Sequence, residues 1–347
     1  MYSGLFGLEK KDLISALIGA GISIFLLKTG ILSLFFLVPL GFVAFSCHYK
    51  TAWFTFALIF LGNLVLILLS TVGRGISAAF IGMELLYFSV MTLVFTWITA
   101  PPPDLPLKVS GPLRLIAGSC IGAMVFSFIF LQSMKTQGFM EYVDFFIRTF
   151  TSASRSSGTD VVQSAMLEMI TAEYLVQIIR SVMLRGGSIV SCLLLFFVSR
   201  QISFLFARVF LRVRRIPGDN SLAVFHVYPT VIWAFSASLL LVVFTRMINL
   251  QTLEILLWNV LIICAILYLV QGLGILQFFL ARPETPTFMR LLFTVLFIVI
   301  LFSPFLNALL LGGLILLGVA ENWAPLRVSN KNGPPSTPEA GDGSLDD

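Results

Sequence analysis

A carboxylate inside a long apolar run is the residue of this sequence with the most distinctive chemistry. Glu84 is the tenth residue of the run 75–100, and no Lys or Arg lies one helical turn away. A charge buried in hydrocarbon costs roughly 3 kcal/mol or more, so such a residue usually binds a ligand, carries protons or links helices. Asn63, in the middle of the run 51–70, is predicted to face it. Glu84 is therefore a candidate ligand or proton site with Asn63, or else a structural hydrogen-bonding group.

The other chemically active residue types do not form a recognisable constellation. The four cysteines lie in or at the ends of apolar runs without a C-x-x-C pair, and the two histidines are far apart. We interpret them as buried apolar and interfacial residues, so no metal and no cofactor are predicted. The sequence contains no phosphate-binding loop, H-E-x-x-H or G-x-S-x-G motif. It therefore predicts that the chain is not an enzyme.

A few further polar residues interrupt the apolar runs. Gln271 and Asn259 are predicted to form hydrogen bonds between helices, which is the commonest role of amides in membrane segments. Glu254 stands at the end of a run and is predicted to be interfacial. Arg200 either pairs with Glu84 or, as we favour, extends to the cytoplasmic surface.

These residues belong to a chain that needs a lipid bilayer around it. Hydrophobic residues make up 58% of the sequence and charged residues 11%, and the mean hydropathy is +0.99. An average globular chain is about 25% charged, so a soluble domain of this composition is excluded. The net charge of +5 is typical of basic loops on one side of a membrane and does not indicate a nucleic-acid partner.

The apolar runs predict an all-α integral membrane protein, a polytopic bundle of about nine or ten segments. The runs are 13–27, 31–47, 51–70, 75–100, 115–133, 188–210, 230–245, 253–280 and 289–320. Pro304 lies near the middle of the last run, and proline breaks or kinks a helix. This run is therefore two short helices, 289–302 and 305–320, or one long kinked helix.

The distribution of basic residues predicts the orientation. If the N-terminus is cytoplasmic, eleven Lys and Arg fall in inside loops and three, Lys28, Arg74 and Arg246, in short outside loops. Positive loops stay in the cytoplasm, so the N-terminus is predicted to lie inside.

The segment 134–186 differs from the rest. It contains an amphipathic helix over 161–183, which Gly186 and Gly187 are predicted to end, and a shorter apolar helix near 139–150. It is predicted to lie outside, as interfacial helices or as a lid over a cavity. The predicted organisation is an N-terminal bundle 1–133, this external segment, a C-terminal bundle 187–322 and a disordered tail 323–347.

Small residues mark one face of the first segment. Ala16 and Ala20 form a small-xxx-small pattern, with Gly19 and Gly21 beside it. Such a face lets another helix approach closely.

The C-terminal third resembles a known family. Asn259 is followed by the run Leu267-Tyr268-Leu269-Val270-Gln271-Gly272-Leu273, and later by Gly318, Glu321, Trp323 and Arg327. This order resembles the YybS-like family of bacterial multi-pass membrane proteins, a domain of unknown function. The resemblance implies a bacterial inner-membrane location.

That family is thought to be distantly related to the S components of energy-coupling-factor transporters, which bind a substrate and dock on a coupling membrane subunit with ATPases. The resemblance implies that Ala16 and Ala20 contact this partner helix. It also implies small-molecule binding or transport as an S-component-like subunit. The alternative is a membrane scaffold or assembly partner without a substrate.

Overall fold

The computed structural model describes residues 9–71, 78–103, 109–156, 171–211, 222–248, 250–282, 286–303, 305–324 and 326–327. Within these ranges the chain is helical and has no β-strand, which confirms the all-α class. Backbone contacts divide it into two compact units. The first is Met1–Ser221 with Thr230–Leu267, and the second is Leu222–Pro229 with Tyr268–Asp347. The predicted segments 1–133 and 134–186 both fall in the first unit, and 187–322 is shared between the two.

Twelve α-helices occur in the described ranges. They are α1 Lys10–Leu27, α2 Leu37–Ser46, α3 Tyr49–Thr71, α4 Ala78–Thr99, α5 Gly111–Ser133, α6 Gln137–Ser156, α7 Ala172–Val182, α8 Ser188–Leu211, α9 Val231–Ile248, α10 Gln251–Leu280, α11 Thr287–Phe302 and α12 Leu306–Ala320.

The described helices include five that are long and apolar enough to cross a membrane. They lie in α3, α4, α5, the continuous stretch Ala172–Leu211, and α10. Four further apolar helices are shorter than a full span. The membrane character is thus confirmed, whereas the predicted count of nine or ten segments is not.

The second apolar segment of the first unit has an unusual construction. A 3-10 helix, Gly30–Phe35, precedes the ten-residue helix α2. Seven residues of α2 are buried, because α2 packs against α1, α3, α4 and α8. Irregular backbone at membrane depth is tolerated where protein surrounds it or where it lines a cavity. A short, broken element at the centre of a bundle is therefore a candidate position for a binding site.

The predicted amphipathic helices are present with different limits. The shorter helix near 139–150 is in fact the twenty-residue amphipathic α6. The second, α7, begins after the N-cap Thr171, whose side chain accepts a hydrogen bond from Tyr174 N at 3.2 Å. The predicted part 161–170 lies outside the described residues.

The amphipathic helix ends before the glycine pair 186–187, as predicted, since α7 ends at Val182 and the backbone angles of Arg185 and Gly186 are not helical. The kinked segment Met183–Gly187 joins α7 to α8. Gly186 has φ +101°, a conformation that side-chain-bearing residues rarely adopt. The chain therefore bends between α7 and α8 at this glycine.

The second unit contains the end of α10 with α11 and α12. The break predicted at Pro304 is confirmed, since α11 ends at Phe302 and α12 begins at Leu306. Phe305 has φ +69°, a left-handed conformation, so it does not continue the helical geometry of α11 into α12. Gly272 on α10 and Gly318 on α12 lie against the backbone carbonyls of Leu314 and Tyr268. Any larger residue at either glycine would separate α10 from α12.

Candidate functional site

The carboxylate of Glu84 has a charged partner that the sequence analysis did not assign to it. Lys28 Nζ, just after α1, lies 2.7 Å from Glu84 Oε1, and both side chains are partly exposed. Glu84 is the seventh residue of α4 and lies near the N-terminal end of the apolar span Gly82–Thr99, rather than in its middle. Lys28 lies 56 residues from Glu84 in the sequence, so the pair could not be predicted from spacing along one helix. In the sequence analysis Lys28 entered only the count of basic loop residues that predicts the orientation.

Asn63 is buried in α3, but no hydrogen bond of the described residues joins it to Glu84. Its Oδ1 has no hydrogen-bond partner in that part of the chain. Glu84 and Asn63, predicted as a ligand-binding pair, are therefore two separate polar residues in the described part of the chain.

The small-residue face of α1 is used inside the chain. Ala16 is fully buried and Ala20 is 4% exposed, and α1 packs on α2 and α3. Gly19, between them, lies near Val43 of α2 and Thr55 of α3. Docking of this face on a separate coupling subunit would require α1 to leave the bundle.

An apolar groove lies on the α1 side of the first unit. It has a volume of about 830 Å³ and lies between α1, the 3-10 helix, α2 and α8. We call it the α1–α8 groove. Its lining residues are Ser15, Ile18, Gly19, Ile22, Leu26, Leu32, Phe35, Val38, Pro39, Phe42, Val43, Ile202, Phe206 and Phe210.

The chemistry of the α1–α8 groove is almost purely apolar. Ser15 provides the one polar side chain among the described lining residues, and its hydroxyl donates to Lys11 O at 3.0 Å. The volume lies in the range of small-molecule sites, roughly 300–1,000 Å³. Burial of an unpaired polar ligand group costs roughly 2–7 kcal/mol, so the groove suits hydrocarbon and disfavours a polar molecule. This groove could not be predicted from the sequence, because its lining residues are of the types found in any apolar membrane helix.

The kink between α7 and α8 is held by residues of α10. Asn259 Nδ2 donates to Leu184 O at 2.7 Å, and Arg185 Nη2 lies 3.3 Å from Glu254 Oε1. The interhelical role predicted for Asn259 is confirmed. Glu254, predicted to be interfacial, is largely buried in this ion pair.

The position of Arg200 differs from the one predicted from the sequence. Arg200 was expected to extend to the surface, but only 8% of it is exposed in the middle of α8. Its neighbourhood on α8 is buried and includes Phe196 and Ser203, and Ser203 Oγ donates to Val38 O of α2 at 2.9 Å. The α8 face that carries Arg200 is therefore packed inside the bundle.

The second unit contains a buried polar network that we call the C-terminal clamp, formed by Gln271, Glu321 and Arg327. Gln271 Nε2 donates to Glu321 Oε2 at 2.8 Å, and Gln271 Oε1 accepts from Val227 N at 2.9 Å. Arg327 binds both carboxylate oxygens of Glu321 and donates to Phe225 O at 2.8 Å. The clamp thus ties α10, the end of α12 and the loop at 225–227 together, which confirms the interhelical role of Gln271.

The charge of Glu321 is maintained by its partners. Burial opposes ionisation, but hydrogen bonds from Arg327 and Gln271 outweigh it, so the pKa of Glu321 lies below its ordinary value. His226 Nε2 lies 3.6 Å from Glu321 Oε1. The family resemblance named Gln271, Glu321 and Arg327 only by their order in the sequence. In the structure these three residues bind one another.

No group of three or more His, Cys, Asp or Glu residues able to hold a metal ion occurs in the described ranges. The four cysteines are free thiols, of which Cys192 and Cys264 are buried. The part of the chain that the structure describes thus offers hydrophobic binding and ion pairing.

Comparison with known proteins agrees with a helical membrane protein. A family model described as "Predicted membrane protein (DUF2232)" matches residues 108–315, more than half of the chain. No curated protein and no solved structure matches. The finer resemblance to YybS-like proteins and S components stays a prediction. The chain belongs to the DUF2232 family of predicted membrane proteins.

Proposed function

We propose that the chain is a membrane-embedded binding protein for an apolar or amphipathic small molecule, which it holds in the α1–α8 groove. The observation that carries this proposal is the groove itself, about 830 Å³ in volume, beside the short and largely buried helix α2.

The dimensions of the groove favour a hydrocarbon chain or ring system. Its lining extends along α1 from Ser15 to Leu26, which is about 16 Å at the helical rise of 1.5 Å per residue. This length is close to half of the hydrocarbon core of a bilayer. A molecule with an apolar portion as long as one leaflet therefore fits better than a water-soluble vitamin or a metal ion.

Transport with an ATPase-coupled partner is an extension of the proposal. Because Ala16 and Ala20 are buried against the chain's own helices, such a partner would dock on another surface. The second candidate, a scaffold without substrate, predicts that the groove contains only exchangeable bulk lipid.

The test compares two tryptophan variants of α1. Ile22 lines the groove and is 46% exposed, whereas Leu17 on the same helix is 53% exposed and does not line it. The full-length chain, Ile22→Trp and Leu17→Trp are purified in mild detergent, and bound small molecules are identified by mass spectrometry. We expect one compound class to be enriched over bulk lipid in the parent and in Leu17→Trp, and lost in Ile22→Trp. Equal recovery from all three proteins would support the scaffold.

A further inference from the structure

A second pocket lies in the second unit, where the end of α10 meets the start of α11. It has a volume of about 440 Å³ and is lined by apolar residues that include Leu276, Phe279, Met289 and Phe293. Arg282 is the charged residue of its lining. An apolar pocket with a cation among its lining residues is suited to an amphipathic anion.

The guanidinium of Arg282 is held in place by two aromatic rings. It lies 5.2 Å from the ring centre of Phe278 and 4.8 Å from that of Phe279. Stacking of this kind uses the flat face of a guanidinium and leaves its edge N–H groups to donate hydrogen bonds to an anion.

Arg290 lies next to Arg282 but does not line the pocket itself. Its Nη2 donates to Arg282 O at 2.7 Å, so the two arginines are directly joined. The buried Nε of Arg290 has no hydrogen-bond partner among the described residues. Neither arginine forms an ion pair with a carboxylate in that part of the chain, and Glu284 lies outside it.

We propose that this pocket binds an anionic phospholipid, with an acyl chain against Phe279, Met289 and Phe293 and the phosphate on Arg282. The distribution of basic residues predicts that this end of α10 lies on the cytoplasmic side. The cytoplasmic leaflet is rich in anionic lipids, and basic pockets between membrane helices bind their headgroups. Charge complementarity thus selects an anionic lipid over a neutral one.

The experiment uses the full-length chain, delipidated in detergent and titrated with phosphatidylglycerol or with phosphatidylcholine of the same acyl chains. Native mass spectrometry measures the bound lipid. The parent should bind phosphatidylglycerol more tightly. Arg282→Gln should lower that affinity about fivefold, the contribution of one basic residue near an anionic surface, and leave phosphatidylcholine binding unchanged.

Two further variants separate the charge from the apolar contact. Met289→Trp fills the pocket and should weaken both lipids, whereas Arg208→Gln, which removes a cation in the last turn of α8, should weaken neither. Thermal unfolding confirms that each variant is folded, and Arg282→Lys should recover part of the affinity.

Equal binding of the two lipids by the parent would overturn the proposal, and so would an equal loss of both in Arg282→Gln. Binding of inorganic phosphate is measured as a further control. If phosphate binds Arg282 while neither lipid is retained, the site recognises a free anion and the lipid proposal is wrong.

Discussion

Gln271 and Glu321 lie fifty residues apart in the sequence and are joined by a buried hydrogen bond of 2.8 Å. The carboxylate is also held by Arg327, and the amide oxygen of Gln271 accepts from the backbone of Val227. The polar side-chain groups of the clamp residues are therefore hydrogen-bonded to one another. Such a fully satisfied network holds the end of α10 and the end of α12 in one arrangement.

Loss of the Glu321 charge should destabilise the second unit. Glu321→Gln leaves the Arg327 guanidinium buried, at 4% exposure, without its counter-charge. Removal of one partner from a buried ion pair costs about 3–5 kcal/mol. We expect a lower unfolding temperature in detergent. The double variant Glu321→Gln/Arg327→Gln should recover part of the loss, and strictly additive effects would show that the two residues are not coupled.

The same carboxylate predicts a dependence on pH. The pKa of Glu321 is lowered in the folded chain, so its contribution to stability is fully present above the unfolded value of about 4.3 and is lost as the pH falls through the folded pKa. The groups around it are Arg327, Gln271 and His226. The difference in unfolding temperature between the parent and Glu321→Gln should shrink on acidification below about pH 4. A difference that grows in acid would contradict this assignment.

Enlargement of the buried face of α1 should weaken the fold itself. Ala16→Leu and Ala20→Leu place extra volume where α1 packs on α2 and α3, at a typical cost of about 1–3 kcal/mol each. Gly21→Leu is the matched control, because a side chain at Gly21 meets nothing within 4 Å. Thermal unfolding should separate the two alanine variants from the control. Unchanged stability with loss of a co-purifying partner would instead restore the docking role.

Neutralisation of Glu84 should have little effect on folding. Its ion pair with Lys28 is partly exposed, and such pairs contribute about 0–1 kcal/mol. We expect Glu84→Gln to fold with nearly the yield of the parent. Glu84→Leu tests whether any polar group is needed there. If Glu84→Gln were made at normal level yet failed to support ligand retention, the charge itself would be required.

The overall class and several local features were predictable from the sequence. Apolar length and charge depletion identify membrane helices, and Pro304 marks the break between α11 and α12 because proline is incompatible with a continuing helix. The amides Asn259 and Gln271 were interpreted correctly, since an amide in an apolar helix needs a hydrogen-bond partner.

The features that could not be predicted from the sequence depend on tertiary packing. Hydropathy does not distinguish an apolar face that packs on α2 from one that faces lipid, so the internal use of Ala16 and Ala20 was not visible. The burial of Arg200 and the partner of Glu84 depend on helices distant in sequence. The groove is formed by the gap between helices, and no residue pattern encodes such a gap.

Photolabelling is the most direct test of the central claim that the α1–α8 groove binds an amphipathic molecule. The full-length chain in membranes is exposed to a fatty acid with a diazirine on its acyl chain, irradiated and digested, and the labelled peptides are mapped. We predict labelling concentrated on α2 and on the end of α8 around Phe42 and Phe206, competed by unlabelled fatty acid and reduced in Ile22→Trp but not in Leu17→Trp. Labelling spread evenly over the exposed faces of all helices, unaffected by competitor or by Ile22→Trp, would contradict the account.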